Sequence, residues 1–560
     1  MLQNIVLKNK LDIMTLKKMG SRYPSRLSFS RSMLRTMIKE KWNIKNTKFD
    51  LNEQGYGSAI YEIKTPKQIY SLICFSQYIK DSERSDRVIA EKWDTAYALH
   101  IGKISKKDRK RLNQNIPLQE LGRNSSKELV LSRANKSVRL FEKVVDCLSN
   151  GKQPNINDIN NVGYLLRTTA VYGSGKFGLA DFARTKTVTH FNQPFRAEML
   201  AVYIIREFSI HLVEHIAYYR NPKKAVKLKK KIKQHFGIGN STGLGMAPFI
   251  IKHPKLIHKW INQFENALKK ICRIKYIEKN NFKKYISLLD KAKNYLNEVR
   301  TTDKIQKQKN KQSYIDLKKI IKKFKNAEIK SLNWSNIINF AEQNISFDAQ
   351  EILKVQMIEL FPKIVDSLAE NMSISDDLHI KTDSTVNDLK KLIEKNYKWA
   401  ININYKDKKN TYLFWYVSEE KLEPRLGERY NEPGAKLEEH LGIGKMVYEL
   451  YFFIKKLNKN KLSFTIPEFL IIHPNYRGII RRIQSLEHFH YGEVKENILA
   501  KNILPIDMLR FKLSFFGASR YDPKSDRWLR VSFFPGAPFY NDLNNKNVDQ
   551  WGFATINSYT

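Results

Sequence analysis

Apolar residues recur at helical spacing through most of this chain, and alternation with period two is confined to short runs. The spacing predicts helices over residues 27–42, 125–148, 156–171, 195–219, 223–234, 255–299, 314–325 and 334–371. Strand-like runs occupy residues 58–63 and 69–75 across a Thr65-Pro66 turn, which reads as a hairpin, and residues 95–101 add a third strand. In the second half Ile401, Ile403 and Tyr405 alternate with Asn402 and Asn404, and residues 412–417 return the chain. A last hairpin joins residues 512–516 to 527–534. There Leu529, Val531 and Phe533 share one face, and Trp528, Arg530 and Ser532 the other. Residues 301–312 are polar and lysine-rich and read as a linker.

These elements predict an α+β fold, mainly helical, with two larger units that each carry a small β-hairpin sheet. The expected segments are a basic N-terminal stretch (1–50), an α+β unit (51–300), a lysine-rich linker or helix (301–330) and a second α+β unit (331–560). His235-Phe236-Gly237-Ile238-Gly239 is echoed by His440-Leu441-Gly442-Ile443-Gly444. Each is followed by an apolar run ending His-Pro, at His253-Pro254 and His473-Pro474. A weak internal duplication explains the echo, and so does chance, because the spacings differ.

Hydrophobic residues make up 42% of the chain and aromatic residues 12%, enough for a packed core. No apolar run reaches the roughly 18 residues of a membrane-spanning helix, so the expectation is a soluble protein without a membrane partner. The net charge is +43, from 99 Lys and Arg against 56 Asp and Glu, which points to an anionic partner. The excess is mainly lysine, in a chain also crowded with Asn and Ile. Drift towards AT-rich codons accounts for that as well, and arginine rather than lysine is the residue favoured for bidentate phosphate recognition. Cys74, Cys147 and Cys272 are far apart and odd in number, which argues for a reducing, cytoplasmic setting. Residues 15–37 are rich in Arg, Lys and Ser and lack acids. A basic surface helix is preferred there over an organellar transit peptide.

Polar chemistry concentrates around the helix at residues 195–219. Ala201, Val202, Ile204, Ile205, Phe208, Leu212 and Ile216 form a wide apolar arc, and Arg196, Tyr203, Glu207, His211 and Glu214 a narrower opposite one. Glu198 falls inside the apolar arc, where a carboxylate must find a partner or stay protonated. That makes Glu198 a candidate acid or base, against a structural ion pair with Arg206 or Arg167. Glu214 is the second candidate proton carrier. Two glycine-rich turns flank this helix. Gly173-Ser174-Gly175-Lys176 fails as a P-loop, because Ala170 stands where the first glycine belongs and Phe177 where Ser or Thr would hold magnesium. Gly237-Ile238-Gly239-Asn240-Ser241-Thr242-Gly243 follows a lysine-rich helix rather than a strand, so a dinucleotide fingerprint is not expected. Either turn can still cradle an anion with backbone N–H groups, with Asn240, Ser241 and Thr242 as added donors. The alternative is an ordinary tight connection.

His211-Leu212-Val213-Glu214-His215 fits H-x-x-E-H, the pattern of the inverted zinc hydrolases. Two imidazoles one turn apart can share a metal and the glutamate can deprotonate its water, but the resemblance covers five residues and selects no third ligand. Arg425 lies in a charged loop and can clamp a carboxylate or phosphate, or merely be solvated. The leading expectation is an enzyme or ligand-binding protein for a carboxylate- or phosphate-bearing small molecule, its cofactor unknown. Arg167, Gly173, Gly175, Lys176, Gly237, Gly239, Asn240, Ser241, Thr242, Gly243 and Arg425 would bind, and Glu198 or Glu214 would move protons. The alternatives are a zinc hydrolase using His211 and His215, and a nucleic-acid-binding protein using the lysine segments at 223–235 and 304–330.

Overall fold

The structure is a computed structural model. It describes residues 23–80, 92–114, 125–168, 188–193, 195–243, 254–299, 301, 303–326, 333–372, 379–407, 414–418, 424–427, 435–440, 442–493, 514–523 and 528–552. These fall into two units. The larger takes described residues within 21–243, 270–373 and 510–560, and the smaller those within 244–269 and 374–509.

The larger unit holds one nine-stranded sheet. Its strands are β1 (Asn43–Leu51), β2 (Gly57–Lys64), β3 (Ile69–Ser76), β4 (Thr95–Ile101), β5 (Glu128–Lys136), β6 (Tyr164–Thr168), β7 (Gly237–Gly243), β8 (Ala518–Pro523) and β9 (Trp528–Phe533). The order across the sheet is β1-β2-β3-β4-β5-β6-β7-β9-β8. Every neighbouring pair is antiparallel except β6 and β7, which run parallel. This overturns the expectation of two small hairpin sheets. The final hairpin closes between β8 and β9, its first strand at Ala518–Pro523 rather than at the expected 512–516, and β9 also pairs with β7, Val531 opposite Asn240 and Leu529 opposite Thr242. Pairing across nearly three hundred residues leaves no local signature, because period two reports a strand and not its neighbour.

The helices of this unit used below are α1 (Phe29–Lys39), α2 (Phe141–Ser149), α3 (Arg196–Arg220), α4 (Lys279–Glu298), α5 (Lys304–Lys325) and α6 (Phe347–Leu360). Helix α3 is packed against α1 and α2 and against β3, β5, β6 and β7. Every residue from Arg196 to Ile210 is buried, polar ones included. Phe208 meets the rings of Phe49 and Tyr97 at 6.5 and 5.9 Å. The expected polar arc therefore reaches partial exposure only from His211 onwards. Arg206 is fully buried. Its Nε donates to the Phe236 carbonyl at 2.6 Å, and its guanidinium lies 3.9 Å over the Phe539 ring.

Several predicted boundaries move for identifiable reasons. Residues 125–148 contain strand β5 before α2, because Leu129, Val130 and Leu131 are buried between β4 and β6, where a continuous apolar run suits a strand as well as a helix. Residues 156–171 break at Gly163, whose φ of 86° caps the helix Ile156–Val162 and frees β6. The expected linker is helical, because Asp303 accepts the Gln306 N–H at 2.6 Å and starts α5. Helix α1 is not a surface helix. Arg31 is 1% exposed and forms a two-pronged pair with Glu359 at 2.5 and 2.8 Å, while Arg35 reaches Asp549 at 3.0 Å.

The smaller unit packs helices Val386–Asn396, Ile443–Lys455, Ile466–Ile472 and Arg477–Ser485 around Leu389, Ile393, Leu450, Ile454, Ile480 and Ile483. Its three-stranded sheet runs Ala435–His440, Phe414–Ser418, Pro424–Gly427 in spatial order. Ile401 ends a helix, Lys398–Ile401, so the expected strand at 401–405 is absent. The internal echo also dissolves. Its first copy enters strand β7, whereas Gly442 of the second caps the helix Ile443–Lys455.

Gly239 has a steric reason to be glycine, since a Cβ there would lie 2.1 Å from the Tyr164 ring. We expect Gly239→Ala to destabilise the larger unit by about 1–3 kcal/mol through overpacking. Gly478→Ala, in a helix with open space around its position, should be neutral or stabilising. Thermal unfolding of the two variants checks this, and equal melting temperatures would remove the packing argument.

Candidate functional site

The last turns of α3 emerge from the core beside β1, β2 and the segment at residues 227–235. Glu207, His211 and Glu214 stand on one side of the helix, at i, i+4 and i+7. The Tyr61 hydroxyl, from β2, lies 2.8 Å from His211 Nδ1. His211 Nε2 lies 3.4 Å from Glu207 Oε1. A neutral imidazole protonated on Nε2 satisfies both contacts: Tyr61 donates to Nδ1 and Nε2–H points to the carboxylate. Glu214 accepts the Leu228 N–H at 2.9 Å and pairs with Lys233 Nζ at 2.9 Å, which holds the lysine-bearing segment against the helix.

Electrostatics separate the two titrating groups. Burial pushes the Glu207 carboxyl up to about 7, against the pull of Arg206 and Lys233. Burial lowers His211 to about 4, helped by the Lys233 and Lys227 charges. Burial also drives the Tyr61 hydroxyl well above its ordinary range, so it stays a donor. Tyr540 is raised to about 12 by burial and by the charge of Glu207, which brings it to the same crevice. A carboxyl that titrates near neutrality and contacts a neutral imidazole can pass a proton in either direction at physiological pH. His211 keeps 29% of its side chain exposed, so the relay has an opening to solvent.

The residues singled out from sequence distribute unevenly around this crevice. Glu198 is buried in the first turn of α3 and engaged with neighbours, far along the helix from His211. Glu214 is at the crevice but committed to Lys233. Arg167 sits on β6 opposite Asn135 and Gly239. Gly173, Gly175 and Lys176 lie outside the described residues. Gly237, Gly239, Asn240, Ser241, Thr242 and Gly243 form strand β7, not a turn. An extended strand sends successive N–H groups to opposite sides, so they do not turn inward together around an anion. Asn240 is buried, and its Nδ2 donates to the Thr168 carbonyl at 3.0 Å. This joins the middle of β7 to the C-terminal end of β6. Arg425 belongs to the strand Pro424–Gly427 of the smaller unit.

Both imidazoles of the H-x-x-E-H pattern have partners. His211 has both nitrogens directed at Tyr61 and Glu207, and His215 Nε2 lies 2.7 Å from the Asn52 carbonyl. Among the described residues no group of three His, Cys, Asp or Glu side chains is arranged to hold a metal. Glu207 was within reach of sequence reasoning, because it lies four residues before His211 on the same arc. Tyr61 was not, since nothing local ties β2 to α3.

Glu207 gives a pH signature. Its ordinary carboxyl value is 4.5 and its native value about 7. The native state therefore holds a proton that the unfolded chain has released, and this stabilisation is complete below pH 4.5 and lost as pH rises through 7, roughly 3 kcal/mol in all. His211 acts oppositely, destabilising as pH falls from 6.5 towards 4. The melting temperature of Glu207→Gln relative to the unaltered protein should rise from pH 5 to about pH 7 and level off above it. Parallel pH profiles would show that Glu207 titrates as an ordinary surface glutamate. No protein-family model, no curated protein and no solved structure matches the chain.

Proposed function

We propose that the protein is an enzyme that performs general acid–base chemistry on an anionic small molecule at the Tyr61–His211–Glu207 crevice. One observation carries this reading: a nearly buried glutamate raised to neutrality, in contact with an imidazole that is itself oriented by a buried tyrosine. Structural ion pairs lower a carboxyl; here burial outweighs the nearby cations and raises it, as acid–base catalysis requires. Lys227, exposed at the rim, and Lys233, bridged to Glu214, supply the positive field that selects an anion. Glu207 is the proton carrier, His211 the group that meets substrate, and Tyr61 the residue that fixes the imidazole tautomer.

Purified protein incubated with a small-molecule extract, followed by untargeted mass spectrometry, tests the reading without knowledge of the substrate. The expected result is depletion of at least one anionic compound, slowed about a hundredfold or more in Glu207→Gln and partly retained in Tyr61→Phe. Identical profiles for the unaltered protein and Glu207→Gln would end the catalytic reading.

A second reading is favoured by a separate observation. Lys304, Lys307, Lys311, Lys318, Lys322 and Lys325 are all exposed on α5 and fall within about 60° of one another around its axis. The first five have no carboxylate partner among the described residues. A lysine stripe of this length fits a phosphate backbone. Binding of single-stranded RNA should then weaken steeply with salt, with a logarithmic slope approaching about −4 for six contacts. Lys318→Glu with Lys322→Glu should flatten that slope; an unchanged slope in the double variant would exclude the stripe.

A further inference from the structure

The smaller unit carries a helix pair of defined construction. Helix α7 (Ile466–Ile472) and helix α8 (Arg477–Ser485) are joined by residues 473–476. Two signals fix the start and the stop of α7. Thr465 and Glu468 form a reciprocal capping box at its first turn. His473 then leaves helical geometry at φ −128° and ψ 62°, and Pro474 follows it. The Tyr476 ring anchors the turn, 5.4 Å from Phe453 and 6.1 Å from Phe469. Both helices bury their inner faces in one core, Ile466 and Phe469 from α7, Ile479, Ile480 and Ile483 from α8. Two short helices joined by four residues on a shared helical core have the construction of a helix-turn-helix.

The outer face of α8 is bare at its first turn. Arg477 and Gly478 are exposed, and a Cβ built on Gly478 would have no atom within 4 Å. Arg481 lies one turn on from Arg477, on the same face and about 6 Å along the axis. Asn475 is exposed in the turn before them, and Lys459 and Lys461 are exposed ahead of α7. Charge is segregated onto this part of the unit. Residues 455–485 hold seven Lys and Arg against one acid, Glu468, whereas residues 379–407 hold six Lys against four acids. Glu468 is turned back onto the Thr465 N–H at 2.7 Å, and Arg482, the cation on the inner face, is paired with Glu493 at 2.7 Å. The cations that remain outward include the two arginines, the residue type whose planar fork matches a guanine edge.

We propose that the smaller unit binds duplex DNA, with the exposed start of α8 entering the major groove. A helix with its side chains is about 10–12 Å wide, and the B-form major groove about 12 Å. Arg477 and Arg481 then face base edges, Gly478 lets the backbone approach them closely, and Lys459 and Lys461 meet phosphates beside α7.

The test is fluorescence anisotropy of the full chain with a labelled DNA duplex of about two helical turns and with an RNA duplex of the same length and sequence. Both probes carry the same number of phosphates, but side chains cannot read the deep, narrow major groove of A-form RNA. The expected result is DNA bound at least tenfold more tightly than RNA. Arg477→Gln with Arg481→Gln should erase that preference. Lys284→Gln with Lys291→Gln on α4, an equal loss of charge in the larger unit, should preserve it. Gly478→Glu should weaken DNA binding at least tenfold while leaving the melting temperature unchanged or higher, because glutamate is the better helix former and has open space there. Lost binding without lost stability separates a groove contact from a damaged fold. The proposal is overturned if the two duplexes bind alike, as they would were this surface a protein-docking site centred on the exposed Ile471 and Ile472. It is equally overturned if the arginine double variant keeps the preference, or if Gly478→Glu binds DNA normally.

Discussion

The larger unit depends on enclosing a 25-residue helix that is not apolar. Helix α3 carries Arg196, Glu198, Arg206, Glu207 and Ser209 into an interior built from sheet and helix. Each such group is tolerable only where the surrounding chain supplies a partner in a low-dielectric site. Arg206 shows how this is done. Its donors meet the carbonyls at the entrance to β7 and its flat face meets Phe539, so one side chain fastens the helix to the sheet and to the C-terminal segment. Glu207, the next residue, receives less compensation, and that shortfall is what moves its proton equilibrium to neutrality.

A second polar assembly closes the chain on itself. Arg26, Arg31 and Arg35 on and before α1 converge with Glu359, Asp366 and Asp549, residues drawn from the middle and the end of the sequence. Asp549 alone serves all three arginines. Desolvation makes such a cluster a weak source of net stability, and its directional bonds instead define which segments meet. With β8 and β9 joining β7, the cluster draws the described residues at 514–523 and 528–552 into the same unit as the first strands. The two polar systems therefore share a logic. Backbone and arginine donors are used to place distant segments, and Glu207 is the group of the first system left incompletely matched.

Much of the local structure was legible in the residue pattern. The central helix, the strands at 58–63, 69–75 and 95–101, and the helices expected within 255–299 and 334–371 follow from spacing alone, because a period of 3.6 or 2 is written into consecutive residues. Gly163 and Asp303 were readable as punctuation in principle, and they account for two of the misplaced boundaries. Strand β5 was not readable, since an apolar run buried on both faces satisfies both periodicities. The five-residue echo around Gly237 and Gly442 misled for a related reason: glycine-rich pentapeptides carry little conformational instruction, and their neighbours decided between strand and helix.

The sequence by itself determined that this chain would be a basic, mainly helical protein with mixed strands, and that its polar chemistry would gather on the helix beginning near residue 196. Pattern and composition are properties of adjacent residues, so they survive without the fold. Only the tertiary structure decided that one nine-stranded sheet would form, that residues 237–243 would be a strand rather than a turn, and that Glu207 rather than Glu198 would face His211. Those outcomes depend on Tyr61, Gln234, Phe236, Phe539 and Asp549 arriving from remote parts of the chain. A carboxyl's proton affinity, like a cavity's shape, is set by neighbours in space, and the order of residues along the backbone does not name them.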